Sequence, residues 1–225
     1  MIAAHHAWYQ PLGPELERIT GCQFISVTQR ENLTTALLDE IRPRYVFLPH
    51  WSFMVPKEIF QQYECVIFHM TDLPFGRGGS PLQNLISRGI YETKICALQC
   101  EADLDAGPVY LRRPLSLLGS AEEIYLRAAN LIQEMILEIV KDEPTPIPQD
   151  GEATYFKRRT PEQSNVSETL ELVEIFDAIR MLDAEDYPSA FLETKHLRFE
   201  FQRASLKSDA VLADVRITRK KTDET

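Results

Sequence analysis

Two side chains suited to acid–base chemistry, His69 and Asp105, stand thirty-six positions apart in this chain. His69 ends the apolar run ECVIFH, and a histidine can be neutral near pH 7 and accept a proton, as general-base catalysis requires. Asp105 belongs to EADLDAGPV, where three acids precede a Gly-Pro turn. One acid could orient the imidazole and stabilise its protonated form, as in a catalytic dyad. The alternatives are a histidine that is hydrogen-bonded to backbone and loop acids that are merely solvated.

The stretch after His69, TDLPFGRGGSP, combines three glycines with an arginine. Gly76, Gly78 and Gly79 allow backbone conformations and close ligand approach that side chains forbid. A helix beginning at Ser80 offers free N–H groups, and Arg77 between two glycines is suited to bind an anion. The alternative for Arg77 is a solvated loop side chain.

Alternating strand and helix patterns surround these motifs. The predicted strands are 22–27, 44–49, 64–69 and 93–100, and the predicted helices are 31–41, 56–63, 80–89 and 120–140. This order predicts an α/β fold with a Rossmann-like, mostly parallel sheet and helices on both faces. His69 then falls at the carboxyl end of a parallel strand, where open α/β sheets bind their ligands.

A proline-rich segment, KDEPTPIPQDG (141–151), breaks this pattern. It predicts a catalytic domain over 1–150 and a small C-terminal α+β subdomain over 151–225. That subdomain is expected to hold one helix and an antiparallel, β-rich appendage, with the helix over 168–182 and strands over 189–194, 196–206 and 210–218. The tail RKKTDET is expected to fray.

Composition limits the classes of function. The formal net charge is −10, which disfavours a nucleic-acid partner, although an anionic small substrate needs only a local cationic pocket. No membrane span or signal peptide is evident, so the expected location is the cytoplasm. The four cysteines are expected to be reduced structural thiols, and no histidine spacing supports a metal site. Neither a dinucleotide fingerprint nor a Walker loop occurs.

Taken together, His69, DLPFGRG and the LDAGP that contains Asp105 resemble the motifs of formyltransferases that use 10-formyltetrahydrofolate. The spacing from His69 to Asp105 matches, and ATYFKRRTPEQS (153–164) resembles the segment that follows the catalytic domain in sugar N-formyltransferases. The string HMTDLPFGRGGSPLQNLI suggests the pseudaminic-acid branch. One residue departs from the pattern: the family asparagine that helps hold the formyl oxygen is replaced by Ile67. His50, Thr71 or His69 could supply the missing donor.

The resemblance implies formyl transfer from 10-formyltetrahydrofolate, without a metal, to the 4-amino group of a UDP-linked 4-amino-4,6-dideoxy sugar. His69 would be the base and Asp105 its partner. The resemblance assigns the folate to His50, Trp51, Ser52, Met54, Val55, Glu101, Asp103 and Leu104. It assigns the sugar nucleotide to Thr71, Phe75, Arg77, Gly78, Gly79, Ser80, Lys157 and Arg158, with Arg159 in the same basic run.

Alternatives remain at this point. Charge and a short C-terminal region disfavour the methionyl-tRNA branch. A formyltransferase acting on an aminoacyl group of a carrier protein is a second enzymatic hypothesis. Ile67 also permits a degenerate member that binds folate without catalysis. The oligomeric state is open, with a homodimer as one option.

Overall fold

A computed structural model describes residues 1–220. Its contacts divide the chain into two compact units. The first unit comprises Met1–Pro81, Glu92–Leu115 and Tyr125–Phe156, and the second comprises Leu82–Tyr91, Ser116–Ile124 and the chain from Lys157 on. The boundary expected at 150/151 stays a prediction.

The first unit is built on a six-stranded sheet. Its strands are β1 (Ile2–Ala3), β2 (Ser26–Val27), β3 (Val46–Pro49), β4 (Cys65–His69), β6 (Glu92–Gln99) and β7 (Val109–Ser116). They lie in the order β2-β1-β3-β4-β6-β7, and β1 to β4 pair in parallel. Two short strands, β5 (Arg77–Gly78) and β8 (Tyr155–Phe156), pair in parallel with each other and form a second, two-stranded sheet. The predicted α/β fold with a mostly parallel sheet is confirmed.

One strand departs from the parallel pattern, because β6 pairs antiparallel with β4, and Cys96 lies opposite His69. The chain after β6 therefore emerges beside the amino end of β4, where Cys100 N–H donates to the Cys65 carbonyl at 2.8 Å. Periodicity alone does not reveal strand direction, which is why the prediction missed this. Strands β1, β5, β7 and β8 were also not predicted.

Six helices accompany the sheets in the described part of the chain. They are α1 (Leu12–Thr20), α2 (Thr35–Ile41), α3 (Lys57–Gln62), α4 (Pro81–Ile86), α5 (Ala121–Asp142) and α6 (Leu172–Arg180). A capping box begins α5, since the Ser120 N–H donates to the Glu123 carboxylate and the Glu123 N–H donates back to Ser120 Oγ. Helix α4 begins at Pro81 as expected, and Gly89 follows its end with φ +69°. Helix α1 was not predicted.

The core of the first unit fills the space beside β3 and β4. All four residues of β3 are buried, and Val46 and Leu48 of this strand belong to one apolar cluster that also contains Leu38 and Ile59. Cys65, Cys96 and Cys100 are buried free thiols, and Cys22 is an exposed one. Burial raises the pKa of Cys65 and of Cys100 to about 12, so both are protonated at neutral pH. The prediction of reduced structural cysteines agrees with this arrangement.

The second unit contains the predicted antiparallel sheet. Strands β9 (Ala190–Glu193), β10 (Leu197–Leu206) and β11 (Val211–Arg219) lie in the order β11-β10-β9. Helix α6 carries a buried ion pair in which Arg180 Nε donates to Asp177 at 2.6 Å, while Arg180 Nη1 donates to two carbonyls. The tail expected to fray is 219–225. Its first residue, Arg219, is the last residue of β11, and the residues from 221 onward lie outside the described part of the chain. No helix within residues 1–220 is long and apolar enough to cross a membrane.

Candidate active site

His69 is the last residue of β4, and only 6% of it is exposed. Its Nδ1 lies 3.6 Å from Asp105 Oδ2, and its Nε2 lies 2.8 Å from the Gly76 carbonyl oxygen. A carbonyl can only accept a hydrogen bond, so Nε2 carries a proton in this arrangement. The imidazole is therefore held between a carboxylate and a backbone oxygen, which fixes the orientation of the ring.

Asp105 reaches His69 through a loop that turns back from the end of β6. The side chain is 8% exposed, and its Oδ2 accepts a hydrogen bond from the Gly78 N–H at 2.9 Å. Its backbone adopts φ +51°, a conformation that non-glycine residues take only where the surroundings hold it. The acid that lies against His69 is thus Asp105, one of the three that the sequence offered.

Hydrogen bonds connect the glycine-rich loop to the residues just before and within β8. Gly76 N–H donates to Thr154 Oγ1 at 2.8 Å, and Gly79 N–H donates to the Phe156 carbonyl at 3.1 Å. At Gly78, φ is +107°, and an added Cβ would lie 2.4 Å from the Phe156 carbonyl oxygen. Only glycine fits at this position. Because Gly78 has no side chain, the loop can approach β8 closely, and the Gly78 N–H lies against Asp105.

Arg77 is not simply solvated, because the side chain of Gln149 holds it. Arg77 Nε and Nη2 donate to Gln149 Oε1 at 3.1 and 2.8 Å, and Nη1 lies 3.4 Å from the Tyr155 hydroxyl. The sequence did not single out Gln149, Thr154, Tyr155 or Phe156 as site residues. Gln149 lies in the proline-rich segment that reads as a linker, and no local motif marks it.

The other residues predicted to bind the sugar nucleotide have varied environments. Thr71 is fully buried, with its hydroxyl 3.3 Å from the Gly76 carbonyl, and Phe75 packs edge-on against Phe156. Ser80 precedes α4 with φ +49°. In the second unit, Lys157 and Arg158 are exposed, and the Lys157 carbonyl accepts a hydrogen bond from Asn84.

Arg159, from the same basic run, is part of the structure of the second unit. Its Nη2 donates to the Gln163 carbonyl at 2.7 Å. Burial, with a smaller contribution from Arg88, lowers the pKa of its guanidinium. Arg159 is therefore engaged with its own unit rather than being an open basic surface residue.

The residues predicted to bind folate lie in two loops of the first unit. The loop after β3 contains the buried Val55, the exposed Met54 and Ser52, and a partly buried Trp51 that packs against the hydrophobic core. The Trp51 Nε1 is buried and has no hydrogen-bond partner among residues 1–220. In the loop after β6, Glu101, Asp103 and Leu104 are exposed. The predicted folate roles stay predictions.

His50 belongs to a cluster of aromatic rings that also contains His5 and His6. Its ring lies 4.4 Å from that of His6 and 4.6 Å from that of Tyr125, and His6 stacks on Trp8. Burial, and secondarily the neighbouring His6 and His5, lowers the pKa of His50 well below 6.5. His50 is therefore neutral at physiological pH.

The His50 environment predicts a loss of stability in acid. Because the folded-state pKa is below the unfolded value, the unfolded chain binds more protons once the pH falls below about 6.5. The free energy of unfolding should then fall by up to about 1.4 kcal/mol per pH unit from this group. Urea unfolding at pH 7.5, 6.0 and 5.0 measures it.

The matched variant is His50→Asn, since asparagine tolerates the φ of +50° at this position. It should lose less stability between pH 7.5 and 5.0 than the wild type does. Equal losses in both proteins would show that His50 does not contribute to the acid sensitivity.

Comparison with known proteins identifies close relatives. The family model described as "Methionyl-tRNA formyltransferase, C-terminal domain" matches residues 161–218. The solved methionyl-tRNA formyltransferase from Clostridium thermocellum is 45% identical, with a TM-score of 0.94 over 97% of this chain and 98% of that chain. Methionyl-tRNA formyltransferase of Rickettsia felis is 29% identical over 62% of this chain and 48% of the relative. The chain thus spans about half the length of the curated relatives it matches.

These findings overturn the assignment to the sugar N-formyltransferase branch. The formyltransferase PseJ from Anoxybacillus kamchatkensis, solved with a UDP-linked formamido sugar and tetrahydrofolate, is 12% identical, with a TM-score of 0.55 over 69% of this chain and 84% of that chain. That likeness shows the fold alone. The prediction of a UDP-linked 4-amino sugar, and with it the pseudaminic-acid pathway, is therefore wrong. The motifs around His69 and Asp105 resemble formyltransferases in general and do not discriminate between branches.

The exclusion of a nucleic-acid partner is also wrong, since the relatives are named for a tRNA substrate. Formal net charge averages over the whole surface and does not report a local basic face. Residues 189–220 carry seven lysines and arginines against four acids, in a chain of net charge −10. The alternative of transfer to an aminoacyl group agrees better with the relatives, although their carrier is a tRNA and not a protein.

Proposed function

Since the chain belongs to the methionyl-tRNA formyltransferase family, we propose that it transfers a formyl group from 10-formyltetrahydrofolate to the amino group of methionyl-tRNA. Members of this family use that folate as the formyl donor. The observation that carries the formyl transfer is the buried contact between His69 and Asp105, beside a glycine-rich loop that is bonded to the same aspartate. The methionyl-tRNA acceptor rests on the 45% identical relative.

The chemistry follows from what an amine needs in order to attack a formyl carbon. The amine must be uncharged, and a base near neutral pH removes its proton. For His69 to act as that base, the amine replaces the Gly76 carbonyl as the partner of Nε2, and the imidazole proton moves to Nδ1, where it faces Asp105. Asp105, against Nδ1, stabilises the imidazolium that forms as the proton arrives. A proton then passes to the tetrahydrofolate nitrogen as it leaves.

The tetrahedral intermediate has an oxyanion that requires hydrogen-bond donors. Ile67 cannot donate, and its side chain packs against the apolar clusters on either side of β4. The donor at this position must therefore differ from the asparagine of the family pattern. The hydroxyl of Thr71 is a candidate only if it gives up its present bond, because it is fully buried and donates its one proton to the Gly76 carbonyl at 3.3 Å.

For the folate, the loop after β3 offers suitable chemistry. The buried Nε1 of Trp51 needs an acceptor, and a pterin ring provides nitrogen and carbonyl acceptors. The exposed Phe53 and Met54 supply apolar contact surface in the same loop. The folate carries the formyl group, and the loop binds and orients it.

For the tRNA, the second unit contains both a local excess of positive charge and the segment that matches the family model. The segment that matches the C-terminal domain model, 161–218, covers most of the antiparallel sheet β9–β11. With the adjoining residues up to 220, that sheet has an excess of three positive charges, and phosphate contacts by lysine and arginine dominate nucleic-acid affinity. We place the tRNA on this sheet.

The test is a formylation assay with initiator tRNA charged with radiolabelled methionine. The protein and 10-formyltetrahydrofolate should convert the label to formylmethionine, which is separated after the ester is hydrolysed. Omitting the folate or adding unformylated tetrahydrofolate should give no product. If the wild-type protein binds folate yet forms no formylmethionine, the proposed function is wrong.

A further inference from the structure

Gln149 uses every hydrogen-bonding valence of its side-chain amide. Its Oε1 accepts twice from the Arg77 guanidinium, at 3.1 and 2.8 Å. Its Nε2 donates to the carbonyl oxygens of Asp105 and Gly107, at 2.8 Å each. The partners fix which end is which, because a guanidinium only donates and a carbonyl only accepts.

These four bonds connect three stretches of the first unit. They join the glycine-rich loop at Arg77, the turn that bears Asp105, and the segment after Ile147. Ile147 is itself fixed to Val109 by two backbone hydrogen bonds, one donated by each residue. The turn at Asp105 needs such support because its φ is +51°. Gln149 does not contact the ring of His69, so any effect on chemistry must act through Asp105.

We propose that Gln149 is a positioning residue for the catalytic pair: its amide holds the 105–107 turn in the conformation that places the Asp105 carboxylate against His69 and Gly78. This inference rests on the proposed formyl transfer. A displacement of about 1 Å at a reacting group can cost on the order of a hundredfold in rate. Gln149→Leu keeps the size of the side chain and removes all four bonds.

The kinetic test compares kcat and KM of Gln149→Leu with those of the wild type in the formylation assay. We expect kcat to fall by about tenfold to a hundredfold, with KM for the folate within about twofold. The matched control is Gln62→Leu, which makes the same chemical change at an exposed position of α3 and should leave kcat unchanged.

A double-mutant cycle separates positioning from a general structural effect. If Gln149 acts through Asp105, then adding Gln149→Leu to Asp105→Asn should lower kcat by less than about twofold further. A merely structural role would multiply the two losses, and that result would overturn the proposal.

Gln149→Glu tests whether kcat depends on the donating nitrogen or on the accepting oxygen of the Gln149 amide. A carboxylate still binds Arg77 but cannot donate to the carbonyls of Asp105 and Gly107. We expect kcat to fall as far as in Gln149→Leu. Wild-type kcat in Gln149→Glu would mean that the contact with Arg77, and not support of the 105–107 turn, is what matters, which contradicts the proposal.

An independent readout needs no activity. The Gly78 N–H donates to Asp105 Oδ2, so its hydrogen exchange reports where that carboxylate lies. In Gln149→Leu the Gly78 amide should exchange at least about tenfold faster, while core amides of β3 and β4 exchange as in the wild type. Unchanged Gly78 protection would overturn the positioning role, whether or not the wild type formylates tRNA. Failure of the wild type to formylate tRNA would instead refute the proposed function.

Discussion

Replacing His69 with asparagine should lower kcat for formyl transfer by at least about a hundredfold and leave folate affinity within a few-fold of the wild type. The asparagine amide reaches about the position of the histidine Nδ1, so it can still donate to Asp105, but it cannot accept a proton from the amine. Steady-state formylation and equilibrium titration with tetrahydrofolate measure the two quantities. The matched control is His196→Asn, at an exposed position between β9 and β10, which should keep the wild-type kcat and folate affinity; KM for the tRNA is left out of this comparison because the position lies on the sheet proposed to bind the tRNA.

The pH dependence of the same reaction provides a check on the assignment. In the wild type, kcat should require a deprotonated group, and this requirement should disappear from the residual activity of His69→Asn. If His69→Asn retains more than about a tenth of the wild-type kcat, His69 does not act as the general base.

Gly78→Ala should strongly destabilise the glycine-rich loop. The new Cβ would lie 2.4 Å from the Phe156 carbonyl oxygen, and alanine would have to adopt φ +107°. Steric overlap with backbone and an unfavourable φ together should cost about 3 kcal/mol of unfolding free energy. For a chain of this size that corresponds to a decrease of about 6–12 °C in Tm, measured by calorimetry.

Gly89→Ala is the matched control for this prediction. Gly89 also has a positive φ, +69°, but an added Cβ there meets no atom within 4 Å. It should therefore cost only about 1 kcal/mol, from the backbone conformation alone. A Gly78→Ala protein as stable as Gly89→Ala would show that the glycine-rich loop does not need its close approach to β8.

Much of the fold follows from local sequence signals. Ser120 and Glu123 cap α5 through contacts three residues apart, and the apolar run of β3 is a pattern within four residues. The direction of β6 and the pairing of β5 with β8 depend on partners far along the chain. Such pairings are not encoded in local periodicity, and they were not predicted.

The site could be predicted only where the residue type itself suggests chemistry. His69, Asp105 and Arg77 stand out by type, and the structure places the first two 3.6 Å apart. Gln149 does not stand out, because a glutamine among prolines is typical of a solvated linker. Its importance arises from four hydrogen bonds to residues between 42 and 72 positions away.

The branch of the family was assigned wrongly for a related reason. The motifs around His69 are assigned here to the proposed transfer of the formyl group, which does not depend on what bears the amine. The acceptor is selected by other surfaces, and neither overall charge nor the motif string reports them. Residues 189–220 carry a basic excess that the whole-chain charge conceals, and the proposed placement of the tRNA rests on it.

The central claim is that this chain formylates an amine presented by a tRNA. The most direct measurement is kcat/KM for 10-formyltetrahydrofolate-dependent formylation of methionyl-tRNA compared with free methionine. If the tRNA contributes at least about 2.8 kcal/mol of binding, the ratio should exceed about a hundredfold. Equal values for the two acceptors, or formylation of neither by a protein that binds tetrahydrofolate, would contradict the account.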